Sequence, residues 1–256
     1  MEKTAILITS FGTSYEETRQ QNIIGLETFI KEKCPEHELY HAYTSAVVRR
    51  ILKKRNVEVD SVEMALDKMH QKGIKRVVIQ PTHLIYGIEF EKITQTVIQF
   101  EHKFEKLKVS TPLLANTEDM MRVIKILGDA FETDQETALV LMGHGTEHYV
   151  NSVYPALDYI AKASGHEHIF VGTVEGYPEV ETVIELIKKK GYKKVILTPL
   201  MFVAGDHAIN DMASSESDSW KSLFEQNGIG VKCVVKGLGE YRGIQALYYK
   251  HLSEFL

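Results

Sequence analysis

Cysteine, cationic excess and long apolar runs are all scarce in this chain of 256 residues. Cys34 and Cys233 are its two cysteines, and neither belongs to a Cys-x-x-Cys pair. That argues against a disulfide framework and against a thiolate zinc site. No segment approaches the roughly 18 consecutive apolar residues of a membrane span. The start, Met1-Glu2-Lys3-Thr4, runs straight into a strand-like segment. It lacks the cationic start, apolar stretch and cleavage site of a signal peptide, so a cytoplasmic protein with no membrane association is expected. Lys and Arg total 30 against 35 Asp and Glu, a net charge of −5. A nucleic-acid partner would call for a basic face or tail. An acidic ligand stays possible, because a local cationic pocket can sit in an acidic protein. Nucleotide motifs are missing too: no Gly-Lys-Ser/Thr element and no Gly-x-Gly-x-x-Gly follows any strand-like run, and there is no His-Glu-x-x-His zinc-protease helix.

What the chain does have is a 44% hydrophobic share, ample for a core. Strand-like and helix-like stretches alternate. Ala5–Ile8 and Val77–Ile79 read as buried strands, Tyr15–Lys33 and Ile88–Leu107 as helices. Strands are expected at 138–142, 169–174, 195–199 and 231–235. Helices are expected near 150–163, 178–190, 218–226 and 241–254. Strands separated by helices point to parallel sheets covered on both faces.

The halves repeat each other. Lys72-Gly73-Ile74-Lys75-Arg76-Val77-Val78-Ile79-Gln80-Pro81 aligns with Lys190-Gly191-Tyr192-Lys193-Lys194-Val195-Ile196-Leu197-Thr198-Pro199, with five of ten positions identical. Thr4 to Thr13 aligns with Thr137 to Thr146, and Gly87 keeps step with Gly205. The expected fold class is therefore α/β, with two similar domains from an internal duplication, each a parallel sheet flanked by helices. The halves are drawn at 1–130 and 131–256, with the C-terminal helix free to pack on the first.

Three residues follow three different strands of the second half at their carboxyl ends, where open α/β sheets form their ligand crevice. His144 lies between two glycines, Glu175 precedes Gly176-Tyr177-Pro178, and His207 stands in Gly205-Asp206-His207. Each has a plainer reading: a turn or cap histidine, a helix-start carboxylate, a polar loop opening a helix. Taken together they form an imidazole–carboxylate set suited to exchangeable Co, Ni, Fe or Zn. Asp206 stands beside His207 as a candidate to orient its ring. The set occurs once, because His144 aligns with Phe11, His207 with Glu89 and, more loosely, Glu175 with Ser45. His148 reads as a decoy. His83 could line a cleft but has no evident partner. Thr13 or Ser14 reads as a helix cap, and the turn from Ser10 can hold an anion.

The segments Ser10-Phe11-Gly12-Thr13-Ser14, Gly143-His144-Gly145, Val174 to Val180 and Leu200 to Trp220 resemble the anaerobic sirohydrochlorin cobaltochelatases, class II chelatases of the cobalamin pathway. The resemblance spans essentially the whole chain. It implies two flavodoxin-like chelatase domains and a tetrapyrrole cleft. It also implies insertion of Co(II), the substrate metal, into sirohydrochlorin without ATP or any other nucleotide. By resemblance His144, Glu175 and His207 are the metal ligands and His144 the proton acceptor. Ser10 and Glu89 are expected to touch the macrocycle, and Arg49 and Arg50 are candidate anchors for its carboxylates. Iron insertion into a related tetrapyrrole, and stoichiometric carriage of metal or macrocycle without turnover, are the competing functions. Self-association into a homo-oligomer is left open by the sequence.

Overall fold

Two sheets of four parallel strands each organise the chain in the computed structural model, which describes residues 4–256. The first holds β1 (Thr4–Ser10), β2 (Leu39–Tyr43), β3 (Arg76–Pro81) and β4 (Lys106–Val109) in the order β2-β1-β3-β4. The second holds β5 (Thr137–Gly143), β6 (Ile169–Thr173), β7 (Lys194–Leu200) and β8 (Gly230–Cys233) in the order β6-β5-β7-β8. The two orders are the same, and both begin the flavodoxin-like series 2-1-3-4. Register is duplicated as well. Thr4 lies opposite Arg76, and Thr137 opposite Lys194. These are the pairs that the sequence repeat aligns.

Among the described residues the α-helices are α1 (Glu16–Thr18), α2 (Gly25–Lys33), α3 (Ala46–Lys54), α4 (Val62–Gln71), α5 (Ile88–Phe100), α6 (Thr117–Ala130), α7 (Val153–Ala163), α8 (Val180–Lys190), α9 (Trp220–Gln226) and α10 (Arg242–Ser253), the last following the final strand. Local chemistry sets their ends. Ser45, Ser61, Asn116 and Ser219 each accept a backbone N–H with the side chain at a helix start. Gly191 closes α8 in the left-handed conformation.

Side chains alternate across each sheet, and both faces are dry. In the second sheet Ala138, Val140 and Met142 pack with Val183 and Ile187 of α8 and Phe224 of α9. The alternate residues Leu139 and Leu141 are equally buried on the other face. In the first sheet Ala5, Leu7, Val77 and Ile79 pack with Leu66 and Met69 of α4 and Ile93 of α5.

The structure departs from the sequence expectation in places, and the helix expected over 15–33 is interrupted by a π-helical turn at Arg19–Ile24. The helix expected over 88–107 stops at Phe100, a 3-10 turn covers Glu101–Lys103, and Leu107 belongs to β4. Phe100, Phe104 and Leu107 continue the helical spacing by coincidence, and a four-residue edge strand carries too little alternation to compete with it. The compact units also differ from a division at 130/131. One comprises 1–115 with 239–256, the other 116–238. Helix α6 joins the second because it packs on α7, whereas α10 packs on α2 and β3 of the first. Among the described residues no helix is long and apolar enough to cross a membrane.

Candidate metal centre

The second unit carries the cluster. Strand β5 ends at Gly143 and hands the chain to His144, and β6 ends two residues before Glu175. The two loops are stitched together, with the Val174 N–H donating to the Gly143 carbonyl (3.1 Å) and the Glu175 N–H to the His144 carbonyl (2.7 Å). Gly145 makes this close approach possible. Its φ is +82°, and a Cβ there would lie 2.8 Å from the Glu175 carbonyl carbon and the Gly176 nitrogen. Only glycine fits both the angle and the space.

Asn151 ties the same loops from the side. Its carbonyl oxygen accepts from the Thr146 N–H (3.1 Å), and its amide donates to the Tyr177 carbonyl (2.8 Å). Nothing in the local sequence marked Asn151, because its role depends on a partner 26 positions away. His207 opens a turn of π-helix, Ala208–Met212, beyond the end of β7.

The arrangement gathers His144, Glu175 and His207 so that one ligand atom from each lies within 4.8 Å of the others. The imidazole rings of His144 and His207 meet edge to face, with centroids 4.4 Å apart. Glu175 Oε2 stands 3.6 Å from His144 Nδ1. Donors bound to one first-row ion at about 2.1 Å lie some 3–4 Å apart, so small side-chain rotations close this set on a cation.

The Nδ1 atoms are already engaged. His144 Nδ1 faces the Gly145 carbonyl at 3.0 Å, and His207 Nδ1 faces Asp211 Oδ2 at 2.5 Å. A carbonyl only accepts, so this contact suits the neutral tautomer with Nδ1–H donating and the lone pair on Nε2. The side chains are 45%, 57% and 33% exposed for His144, Glu175 and His207, which leaves the set open to ligand exchange.

The other candidates fall elsewhere. The carboxylate on His207 is Asp211; Asp206, its sequence neighbour, accepts instead from the Asn210 amide at 3.0 Å. Adjacent residues of a helical turn point apart, whereas residues four apart share a face. His148 stays out of the cluster and accepts the Val150 N–H, capping the 3-10 turn Tyr149–Ser152. Thr13 accepts the Tyr15 N–H just before α1.

In the first unit the loop bonds recur: Thr44 N–H to the Ser10 carbonyl and Ser45 N–H to the Phe11 carbonyl. This fixes Phe11 as the counterpart of His144, and Ser45 as that of Glu175. Ser10 itself is buried, its hydroxyl accepting from Thr82 at 3.0 Å. The half-exposed atoms of that turn belong to Phe11. Glu89, the counterpart of His207, pairs with Lys92. Burial pushes its carboxyl up, but hydrogen bonds from Lys92 and Thr44 and the charge of Lys92 outweigh burial and hold it below the usual range. His83 has both ring nitrogens out of solvent without a hydrogen-bond partner. Burial pushes its pKa down to about 4, so it is neutral at physiological pH. Arg49 borders a cavity of about 280 Å³ with Ser61, Glu63 and Lys92, while Arg50 is exposed.

Duplicated four-stranded parallel sheets, one of them bearing this open imidazole–carboxylate set, define a two-domain α/β protein of the chelatase type. The chain belongs to the cobalt chelatase (CbiK) family, whose model matches residues 4–256. It is 39% identical over 256 residues to a sirohydrochlorin cobaltochelatase of Salmonella typhimurium, covering 99% of this chain and 97% of that one. It is 31% identical to the sirohydrochlorin cobaltochelatase CbiKC of Nitratidesulfovibrio vulgaris, covering 99% and 90%. The fold matches SirB from Bacillus subtilis with Fe3+ at a TM-score of 0.66 and 12% identity, over 99% and 95% of the two chains. It also matches CbiX, described as the terminal enzyme of siroheme biosynthesis in denitrifying bacteria, at 0.62 and 16%, over 98% and 99%.

Proposed function

We propose that this chain inserts Co(II) into sirohydrochlorin, without nucleotide hydrolysis, as a cytoplasmic step of anaerobic cobalamin biosynthesis. Family membership and the names of the two relatives support the reaction. The observation that carries it to these residues is the gathering of His144, Glu175 and His207. Cobalt is a substrate here, so the site must hold it and release it. Two imidazoles and a carboxylate, half-exposed and free of thiolate, suit that task better than a closed cysteine site.

A free-base macrocycle loses two N–H protons as the ion enters. One nitrogen lone pair cannot hold cobalt and accept a proton at once. The roles are therefore sequential: His144 Nε2 binds the ion, passes it to the macrocycle nitrogens, and then takes a pyrrole proton. Its Nδ1–H bond to the Gly145 carbonyl keeps the ring aimed through both states. Glu175 and His207, released from the ion at the same moment, are the bases at hand for the second proton. Tyr149 and Tyr177, 82% and 58% exposed on the same loops, offer flat apolar surface to the ring system.

An anaerobic insertion assay followed by the macrocycle's visible spectrum tests the reading. His144→Ala and His207→Ala are expected to fold with the normal circular dichroism spectrum and to lose insertion by at least about 100-fold. Wild-type turnover by either variant refutes the assignment. Competition between Co(II) and Fe(II) in the same assay distinguishes cobalt from iron insertion, and multiple turnovers exclude a stoichiometric carrier.

A further inference from the structure

We infer that Asp211 is a positioning residue that fixes the tautomer and aim of His207, and that the π-turn Ala208–Met212 exists in this half to deliver it. The inference rests on the reading of His207 as a cobalt ligand. Asp211 Oδ2 lies 2.5 Å from His207 Nδ1, a short charge-assisted contact four residues along the chain. With Nδ1–H held by a carboxylate, the lone pair resides on Nε2, and the ring cannot turn without breaking that bond. Metal-binding histidines depend on such outer partners, whose loss weakens metal affinity about 10–100-fold.

The duplication supplies an internal comparison. His207 aligns with Glu89, and at the same spacing Asp211 aligns with Ile93. Ile93 is fully buried in the apolar core of the first unit, and α5 there is an ordinary α-helix. Glu89 has no tautomer to fix, and no acid stands four residues beyond it. Acid and imidazole occur together in one half and are absent together from the other.

The same turn also holds a control. Asn210 donates to Asp206 at 3.0 Å, again four residues apart, without touching His207 Nδ1. A general need for such bonds to hold the turn would make Asn210 as important as Asp211.

Cobalt(II) alone, titrated anaerobically into the full chain and followed by its visible ligand-field bands, reads the site without turnover. Asp211→Ala is expected to raise the Co(II) dissociation constant about 10–100-fold. Asp211→Asn keeps an oxygen that accepts the Nδ1–H and is expected to recover most of that loss. Asn210→Ala should bind as wild type does. In the metal-free protein, 15N imidazole shifts should show His207 as the Nδ1–H tautomer, becoming a mixture in Asp211→Ala. Wild-type cobalt binding by Asp211→Ala, or an equal loss in Asn210→Ala, overturns the inference. Wild-type binding by His207→Ala instead overturns the ligand assignment on which it rests, and the tautomer measurement separates that case. If Asp211→Ala does not fold, the inference is decided by Asp211→Asn together with Asp211→Leu, which is similar in size and cannot accept; equal binding by the two rejects it.

Discussion

Gly145→Ala separates the two things this glycine does. The residue sits at φ +82°, where an alanine costs about 1–2 kcal/mol from backbone strain alone. The added Cβ would also lie 2.8 Å from two backbone atoms of the Glu175–Gly176 peptide and 2.9 Å from Thr173 Cβ. Ordinary contact begins near 3.4 Å, so the loops must part by about 0.6 Å, and forcing such contacts costs roughly 1–3 kcal/mol more. The expected destabilisation is about 2–5 kcal/mol in urea unfolding. The movement falls between His144 and Glu175, and metal–ligand distances tolerate only about ±0.2 Å. Cobalt affinity should therefore fall at least about tenfold in the folded fraction. Gly191→Ala is the matched control, because Gly191 has φ +85° with nothing within 4 Å of a Cβ. It should lose only the strain energy, about 1–2 kcal/mol, and bind Co(II) unchanged. Gly145→Ala binding cobalt normally, or Gly191→Ala binding it poorly, would refute the claim that close approach of these loops sets the site.

Two further expectations concern stability. Burial pushes the pKa of Glu27 up to about 7, against the opposing charge of Arg19, with the side chain 16% exposed and 3.7 Å from His41. Below its ordinary value, about 4.3, Glu27 is protonated in both the folded and the unfolded chain. Above that value the unfolded chain releases the proton while the folded one keeps it, so this group's penalty grows as pH rises toward 7. Glu27→Gln should thus be more stable than wild type by up to about 3 kcal/mol at pH 8, with the difference vanishing near pH 4. A pH-independent difference in urea midpoints would exclude this account. Asn151→Ala removes the bonds to Thr146 and Tyr177 and should cost about 1–3 kcal/mol while weakening cobalt binding. Unchanged affinity would show that Asn151 braces the loops without setting the ligands.

Strands β1 and β3 and the four strands of the second sheet were legible because buried parallel strands leave short apolar runs between punctuating glycines and prolines, whereas the strand order depends on crossovers that leave no such mark. The repeat Lys72–Pro81 against Lys190–Pro199 is mirrored in the register, where matched strands in matched positions pair alike. Strand β4 was hidden because its apolar residues also satisfy a helix. The three clustered residues could be read from the topology alone: each ends a strand, and parallel strands bring their carboxyl ends to one edge. The supporting shell could not. Asp211 and Asn151 act through contacts fixed by a π-turn and a loop crossing, and neither leaves a periodic trace. The burial of Ser10 was equally out of reach, because its place beside the turn said nothing of which way its hydroxyl points.

Two copies of one βα scaffold thus reach the same backbone geometry at corresponding turns, down to equivalent peptide hydrogen bonds at Phe11–Ser45 and His144–Glu175. The chemistry at those turns is nevertheless opposite. Phe11 and Ser45 can bind no divalent ion: one is a hydrocarbon, and the other caps α3 with its hydroxyl. In the second copy His144 and Glu175 stand on the same two backbone positions and present an imidazole and a carboxylate there. The difference therefore lies in side chains carried on a shared frame, so backbone geometry alone does not make the metal site. Exchanging the side chains at one pair alone would not move the site either. Glu89 is committed to Lys92, and Ile93 leaves an imidazole placed at position 89 with no carboxylate to aim it.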